Sequence, residues 1–397
     1  MTTLMKYYDK DVLKNIMAPL TLKPDRLIFF YDKGIRNKSY FCGLKSCLKR
    51  HLPLLQIEYY PVSVLNVSEI YDKTVSMIEN EDTYAIDLTG GSEMMLVAGY
   101  KAGSQRGIPL YYTDLINREI IDIEDNSLVA KTIELTLEDF IEARGAEFLG
   151  NSHVEPDPKN YQNILEMCQV LFENLEQWKK TSSFLQMIVA RVPPHELQIS
   201  GRMEVLQKNG QKVSPNKKIM LAFQKFGFIK NLKMTKENIS FSFTSLTNKQ
   251  YAINFGVWLE LFVFIHAKET EAFHDVKLGL MIDWNAHDGV MITGNEIDVV
   301  LSDHSLPVFI SCKLRHADIA SINELVIAKK RVGGWFSKGI LVSFGWDKKN
   351  RTGTYKKAKE LGIELLDAQD IMSKDFGDRL VRTVREHDLV SMKWTPV

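Results

Sequence analysis

Up to Thr113 the chain alternates strand-like and helix-like stretches, and this alternation restricts the fold more than any other feature. Strands are expected at Thr3–Tyr8, Arg26–Tyr31, Gln56–Pro61, Thr83–Leu88 and Ile108–Thr113, with helices at Asp11–Ala18, Lys38–Arg50, Ser68–Asn80 and Ser92–Arg106. Such a β-α-β alternation implies a mostly parallel sheet covered by helices on both faces. Right-handed crossovers then favour a Rossmann-like doubly wound sheet of order 3-2-1-4-5, with its crevice where the order reverses, between strands 1 and 4. Ile116–Ile123 and Ala130–Leu135 flank the turn Asp125–Ser127 and read as an antiparallel extension of that sheet.

Two loops meet at the crevice: Tyr8-Asp9-Lys10 and Leu88-Thr89-Gly90-Gly91-Ser92. In the second, a strand runs through two glycines directly into a helix. Glycine permits close approach of a ligand to the backbone, and free N–H groups at a helix start favour an anion. Thr89 and Ser92 can add hydroxyl groups. Paired glycines are common at strand–helix corners, so it is the position at the crevice that marks Asp9 and Thr89–Ser92 as a candidate anion site. The pattern is not GxGxxG, which disfavours a dinucleotide. The basic loop 33–38 is expected to be solvated.

Further along, Gly294 to Arg315 (GNEIDVVLSDHSLPVFISCKLR) contains two strand-like runs, Glu296–Leu301 and Pro307–Leu314, around a polar turn. Side chains at i and i+2 of a strand share a face. Glu296 and Asp298 therefore lie together, as do Ser311 and Lys313, while Ile297, Val299, Ile310 and Cys312 face apolar packing. Paired, the strands would bring acids and a lysine to one spot. Phosphodiester hydrolysis uses that set: carboxylates hold Mn²⁺ or Mg²⁺, and a lysine steadies the anionic transition state. A surface charge pair is the plainer reading, but a lysine that ends the apolar run VFISC argues against it.

A third acid stands out. Val257 to Ile265 is apolar almost all round and reads as a buried helix carrying Glu260. A lone carboxylate there is costly unless it is paired or binds a metal. Glu260 and Asp298 are the expected metal ligands. Glu260, Glu296, Asp298 and Lys313 form the candidate catalytic set. His287-Asp288, in a loop ending at Gly289, is expected to be a turn rather than a ligand pair.

Between these regions, Gly145–Lys159 is expected to end the first domain as a linker, and Tyr161–Lys179 to form one helix. From Gly201 to Lys236 the sequence turns basic: Arg202, Lys208, Lys212, Lys217, Lys218, Lys225, Lys230, Lys233 and Lys236 face a single acid, Glu204. A helix starting near Ser214-Pro215, followed by strands at Phe228–Lys233, Asn238–Thr244 and Gln250–Ile253, suggests a winged-helix-like connector, whose basic surface either holds phosphates without reading sequence or is simply solvated. After the hairpin, a helix Ala317–Arg331 ending at Gly333-Gly334, a strand Gly339–Phe344, a helix Thr354–Leu361 and a strand Glu364–Leu366 complete an α/β sandwich. The expected division is 1–145, 146–250 and 251–397. With 397 residues and zero net charge, nucleic-acid affinity must be a local property. Scattered Cys42, Cys47, Cys168 and Cys312 offer no zinc spacing. Without an apolar leader or spanning run, the expected setting is the cytoplasm, with no membrane partner.

The hairpin resembles the core of the PD-(D/E)xK restriction-endonuclease-like superfamily, with Asp298 as first acid and Lys313 as the lysine. Ser311 departs from the pattern, which has Asp or Glu there; either Glu260 or Glu296 must supply the missing carboxylate. Through AIDLTGGSEMM, FGVWLE, GNEIDVVL and VFISCK, the whole chain is similar to CRISPR ancillary nucleases that join an N-terminal CARF sensor to a C-terminal PD-(D/E)xK nuclease. That resemblance implies a homodimer whose sensors bind cyclic oligoadenylate, foremost cyclic tetra-adenylate. It also implies metal-dependent cleavage of single-stranded DNA or RNA, with nicking of duplex DNA, in type III CRISPR antiviral defence. The serine at 311 keeps a second reading open: a ligand-sensing transcription regulator with a winged-helix reader and a degenerate nuclease domain.

Overall fold

The computed structural model describes all residues except 36–38, 79–81, 208–209, 285–294, 316–318, 333–336, 346–352 and 387–397. The expectations placed on part of the loop 33–38, on Lys208, on His287-Asp288 and on Gly333-Gly334 lie outside the described residues.

The N-terminal sheet comprises β1 (Thr2–Tyr7), β2 (Arg26–Asp32), β3 (Gln56–Val62), β4 (Thr83–Asp87), β5 (Leu110–Asp114), β6 (Glu119–Asp122) and β7 (Leu128–Lys131). Its order is β3-β2-β1-β4-β5-β6-β7, parallel through β5 and antiparallel thereafter. The order reverses between β1 and β4, as the alternation implied. Helices Val12–Leu22, Ser39–His51 and Leu137–Ala143 cover one face through Leu13, Ile16, Leu44, Leu48 and Phe140. Val67–Ser76 and Glu93–Arg106 cover the other through Ile70, Met95 and Ala98.

The linker expected at Gly145–Lys159 is instead partly a strand. β8 (Glu147–Asn151) pairs antiparallel with the C-terminal sheet and becomes its edge. The sequence conceals this strand because its glycine and polar residues break the apolar alternation; the open edge of the C-terminal sheet supplies the pairing. Two other expectations are corrected. Tyr161–Lys179 is not one helix: Tyr161–Glu173 and Leu175–Val189 meet at Asn174, whose φ of −130° breaks the helical path. Gln250–Ile253 is not a strand but the end of helix Leu246–Ile253, started by the Ser245 hydroxyl accepting from the Asn248 N–H at 3.0 Å. A short apolar run suits either state, and here the cap decides.

The connector has β9 (Gln198–Arg202), the short β10 (Val205–Leu206) and β11 (Lys212–Val213), helix Lys217–Lys225, and the hairpin β12 (Ile229–Met234) and β13 (Asn238–Phe243). Helix followed by hairpin is the expected winged arrangement, with β9 added beside β13. Lys217, Lys218, Lys225, Lys230, Lys233 and Lys236 are all exposed.

The C-terminal sheet adds β14 (Asp275–Asp283), β15 (Asn295–Asp303), β16 (Leu306–Lys313), β17 (Lys338–Ser343) and β18 (Ile363–Leu366), in the order β18-β17-β16-β15-β14-β8. Helix Val257–Glu269 packs on one face against Leu278, Val299 and Ile310, and Ile319–Val332 on the other against Val300, Phe309 and Leu341. That second apolar layer is continuous with the Leu13–Phe140 layer of the N-terminal sheet. The two sheets are thus joined by shared core rather than by a free tether. No helix among the described residues is long and apolar enough to cross a membrane.

Candidate active site

Turn and alternation fix the hairpin register, with Val299 opposite Ile310 and Val300 opposite Phe309. One step further, Asp298 lies beside Ser311. Its Oδ2 accepts from the Cys312 N–H at 2.6 Å, the Ser311 hydroxyl at 3.2 Å and the Lys313 ammonium at 3.4 Å. Val299, Ile310 and Cys312 pack in one apolar layer, as the alternation implied, whereas Ile297 is buried in the opposite layer with Val300 and Phe309.

The buried helix delivers Glu260. Asn254 Oδ1 accepts from the Gly256 and Val257 N–H groups at 3.0 and 3.4 Å and starts the helix. Trp258, packed on Phe223, Phe228 and Tyr251, fixes its rotation. Glu260 then sits in the first turn, where the helix dipole favours a negative charge. It is only 9% exposed, and its Oε2 accepts no hydrogen bond among the described residues. Burial pushes its carboxyl well above the usual range, and the charges of Asp298 and Glu296 push it further against the pull of Lys313. Burial alone would lower the Lys313 ammonium, but Asp298, Cys312 and Glu260 together leave it raised. Burial likewise raises the Cys312 thiol, which is therefore an inert core group.

Glu296 stands on the same side. It accepts from the Ser152 hydroxyl and lies 3.8 Å from His153 Nε2, which is also 3.5 Å from Glu260 Oε2. Ligand atoms of His153, Glu260 and Glu296 all fall within 4.8 Å of one another. The choice between Glu260 and Glu296 is therefore not exclusive in space: both reach the same His153 imidazole. A cavity of about 450 Å³ opens here, lined by Trp284, Glu296, Asp298, Ser311, Lys313 and Glu324 among others. A buried carboxylate whose Oε2 accepts no hydrogen bond among the described residues, with the His153 imidazole, two further acids and a lysine nearby, fits a divalent cation.

His153 escaped the sequence reading because it follows β8, in the stretch read as linker. One signal did exist. Gly279 interrupts an otherwise regular strand with φ of +60°, and a β-carbon there would lie 2.2 Å from the Ser152 Oγ. A glycine inside a strand marks close approach of another backbone. The Ser152 N–H donates to the Gly279 carbonyl at 2.7 Å, seating Ser152 and His153 on β14.

At the N-terminal crevice, the predicted loops do meet. Asp9 Oδ2 accepts from the Gly91 N–H at 3.0 Å and from Lys14 at 3.3 Å. Thr89 is buried, its N–H donating to Asp87 Oδ1 at 2.9 Å and its hydroxyl accepting from the Thr113 N–H at 2.6 Å. Ser92 caps helix Glu93–Arg106 by accepting from the Met95 N–H at 3.3 Å. Reading the glycines only as openings for a ligand is incomplete. Both have positive φ, +100° and +93°, and a β-carbon on Gly91 would lie 2.6 Å from Tyr7 Cβ. They let the loop fold down onto β1, and this leaves Gly91 N–H aimed across the crevice.

Comparison with known proteins follows the same division. Residues 248–380 match the family model described as Card1-like, endonuclease domain. Over 97% of this chain and 99% of the other, the fold resembles Can2 from Sulfobacillus thermosulfidooxidans in complex with cyclic tetra-adenylate, with a TM-score of 0.71 and 18% identity. A Vibrio cholerae protein matches with a TM-score of 0.74 and 17% identity over 96% of this chain and 97% of that one. A type III CRISPR defence DNA nuclease activated by cyclic oligoadenylate matches with a TM-score of 0.54 and 13% identity, over 96% of this chain and 51% of that one. No curated protein matches the chain in sequence. In overall fold the chain resembles Can2 and the type III CRISPR defence nuclease, and residues 248–380 are similar to the Card1-like endonuclease domain.

Proposed function

We propose that this protein is a metal-dependent nuclease switched on by cyclic tetra-adenylate, cleaving single-stranded DNA or RNA in type III CRISPR antiviral defence. The observation that carries the reading is the buried Glu260 carboxylate, whose Oε2 accepts no hydrogen bond among the described residues, close to Glu296, which lines one cavity with Asp298 and Lys313. Glu260 and Asp298, with Glu296 alongside, would hold Mn²⁺ or Mg²⁺. Such an ion supplies Lewis-acid polarisation of the phosphoryl group and lowers the pKa of an attacking water. Lys313, steered by Asp298, places its ammonium where charge develops on the phosphoryl oxygens. The apolar packing beneath the hairpin holds these groups in fixed geometry, so little reorganisation is left to the reacting state.

At the crevice, the start of helix Glu93–Arg106 favours a phosphate and Lys14 stands beside it, while the Gly91 N–H, held by Asp9, would serve as a donor only by exchanging that bond. Met94, Val97 and Tyr100 form an exposed apolar stripe on that helix, which supports a homodimer in which a symmetric cyclic nucleotide meets two crevices. The shared apolar layer supplies physical contact between the N-terminal and nuclease sheets, and the Arg144 side chain, between helix Leu137–Ala143 and β8, donates to the crevice loop at the Lys10 carbonyl at 2.5 Å. Activation then requires tighter binding of the activator to the active arrangement than to the resting one. The exposed lysines of the connector support a substrate held by its phosphates.

Cleavage of end-labelled single-stranded DNA and RNA, with Mn²⁺ or Mg²⁺ and with or without cyclic tetra-adenylate, tests the reading. Cleavage requiring both the ion and the activator is expected. Sequence-specific duplex binding without cleavage would establish the regulator reading instead.

A further inference from the structure

We propose that His153 is a ligand of the nuclease metal, joining Glu260 and Glu296 and filling the coordination position that Ser311 leaves without a carboxylate. The inference rests on the metal-dependent nuclease reading but assigns a residue from outside the hairpin and the buried helix. Three independent features point to it. The imidazole Nε2 approaches two carboxylates from different elements, at 3.5 Å from Glu260 Oε2 and 3.8 Å from Glu296 Oε1. Ligand atoms about 2.1 Å from one small divalent ion lie roughly 3–4.3 Å apart, so these separations need little adjustment. The Glu260 oxygen facing His153 is buried and accepts no hydrogen bond among the described residues. Finally, the segment is built in place: the Ser152 N–H bonds to Gly279, the Ser152 hydroxyl bonds to Glu296, and Gly279 lacks the β-carbon that would expel Ser152. Ser152 thereby orients one ligand while its neighbour supplies another, as outer partners commonly do around metals.

Two consequences follow. Replacing a carboxylate with an imidazole lowers the negative charge of the site and shifts preference from Mg²⁺ toward ions that accept nitrogen. The ligand also follows β8, which itself begins three residues past Arg144, whose side chain bonds the crevice loop at the Lys10 carbonyl. One ligand is thus carried by the segment that leaves the sensor.

The test uses the full-length protein loaded with Mn²⁺ alone, read by pulsed electron paramagnetic resonance and calorimetry. Wild type is expected to show ¹⁴N modulation from a coordinated imidazole. His153→Gln, close in size and polar, should lose that modulation and bind Mn²⁺ about 10- to 100-fold more weakly. His153→Asp should restore affinity without the nitrogen signal and shift the preference toward Mg²⁺. Circular dichroism of each variant confirms folding. Absence of ¹⁴N modulation in wild type, or its persistence with unchanged affinity in folded His153→Gln, overturns the assignment. The two readings fail separately. Metal-dependent cleavage lost in Asp298→Asn but unaffected by His153→Gln removes His153 and leaves the nuclease. A nitrogen-ligated ion without any cleavage removes the nuclease and leaves the ligand.

Discussion

The buried ion pair beneath the N-terminal crevice loop offers a test of the structure that does not depend on the chemistry. Lys6 on β1 and Asp87 on β4 bond directly, both side chains are 0% exposed, and Asp87 also receives the Thr89 N–H that starts the crevice loop. Burial lowers the Lys6 ammonium below its ordinary value even though Asp87 pulls it up. Asp87→Asn keeps the shape and an acceptor for Thr89 but strands a buried positive charge. Breaking such a pair costs about 3–5 kcal/mol, against a typical domain stability of about 5–15 kcal/mol. With a urea m-value of about 2–3 kcal/mol/M, the midpoint should fall by about 1–2.5 M. Lys6→Met/Asp87→Asn removes both charges, keeps the Thr89 acceptor and should recover most of that loss. The deficit of the single variant should shrink as pH rises, because a lysine with a depressed folded pKa sheds its proton and the native state gains stability. The assay is urea unfolding followed by circular dichroism at two pH values. An unchanged midpoint for Asp87→Asn, or a double variant no better than the single one, would refute the reasoning.

Asp298→Asn should abolish cleavage with little change in fold, and Lys313→Ala should lower the single-turnover rate on the order of 10²-fold or more; a wild-type rate in either sinks the site. Glu260→Gln should raise the melting temperature of the metal-free protein at pH 8, since it removes a disfavoured buried charge, while abolishing the further rise on adding Mn²⁺; Ser311→Glu should partly restore that rise, and a normal Mn²⁺ response in Glu260→Gln alone would exclude it as a ligand. Burial pushes the Asp11 carboxyl up to about 6 from an ordinary 3.8. Its contribution is therefore intact below about pH 3.8 and is lost as pH rises through about 6, a change of about 3 kcal/mol; Asp11→Asn, which keeps a capping oxygen, should flatten that part of the stability–pH curve, and an unflattened curve excludes Asp11 as its source. Gly91→Ala must adopt φ near +93° and meet Tyr7, so cyclic tetra-adenylate affinity by calorimetry should drop sharply while Mn²⁺ binding stays; normal affinity would move the activator away from this loop.

The periodicities of the chain carried the local architecture. Alternating β and α patterns specified the parallel sheet and its reversal between β1 and β4, because right-handed crossovers leave few other arrangements. Two-residue alternation was enough to place Asp298 and Lys313 on one side of a hairpin, and the apolar surround of Glu260 marked it as a carboxylate in need of a partner. These are properties of short segments, and short segments are legible. What the sequence left undetermined depended on segments distant in the chain. Asn174 broke a helix that periodicity continued, Ser245 capped a helix where an apolar run suggested a strand, and a polar stretch became β8 because β14 offered an open edge. A side chain's proximity to Glu260 is set by how sheets and helices pack, over separations that no local pattern encodes. So Glu260 and Glu296 could not be ranked from spacing, and His153 stayed unseen, until tertiary packing brought all three within 4.8 Å.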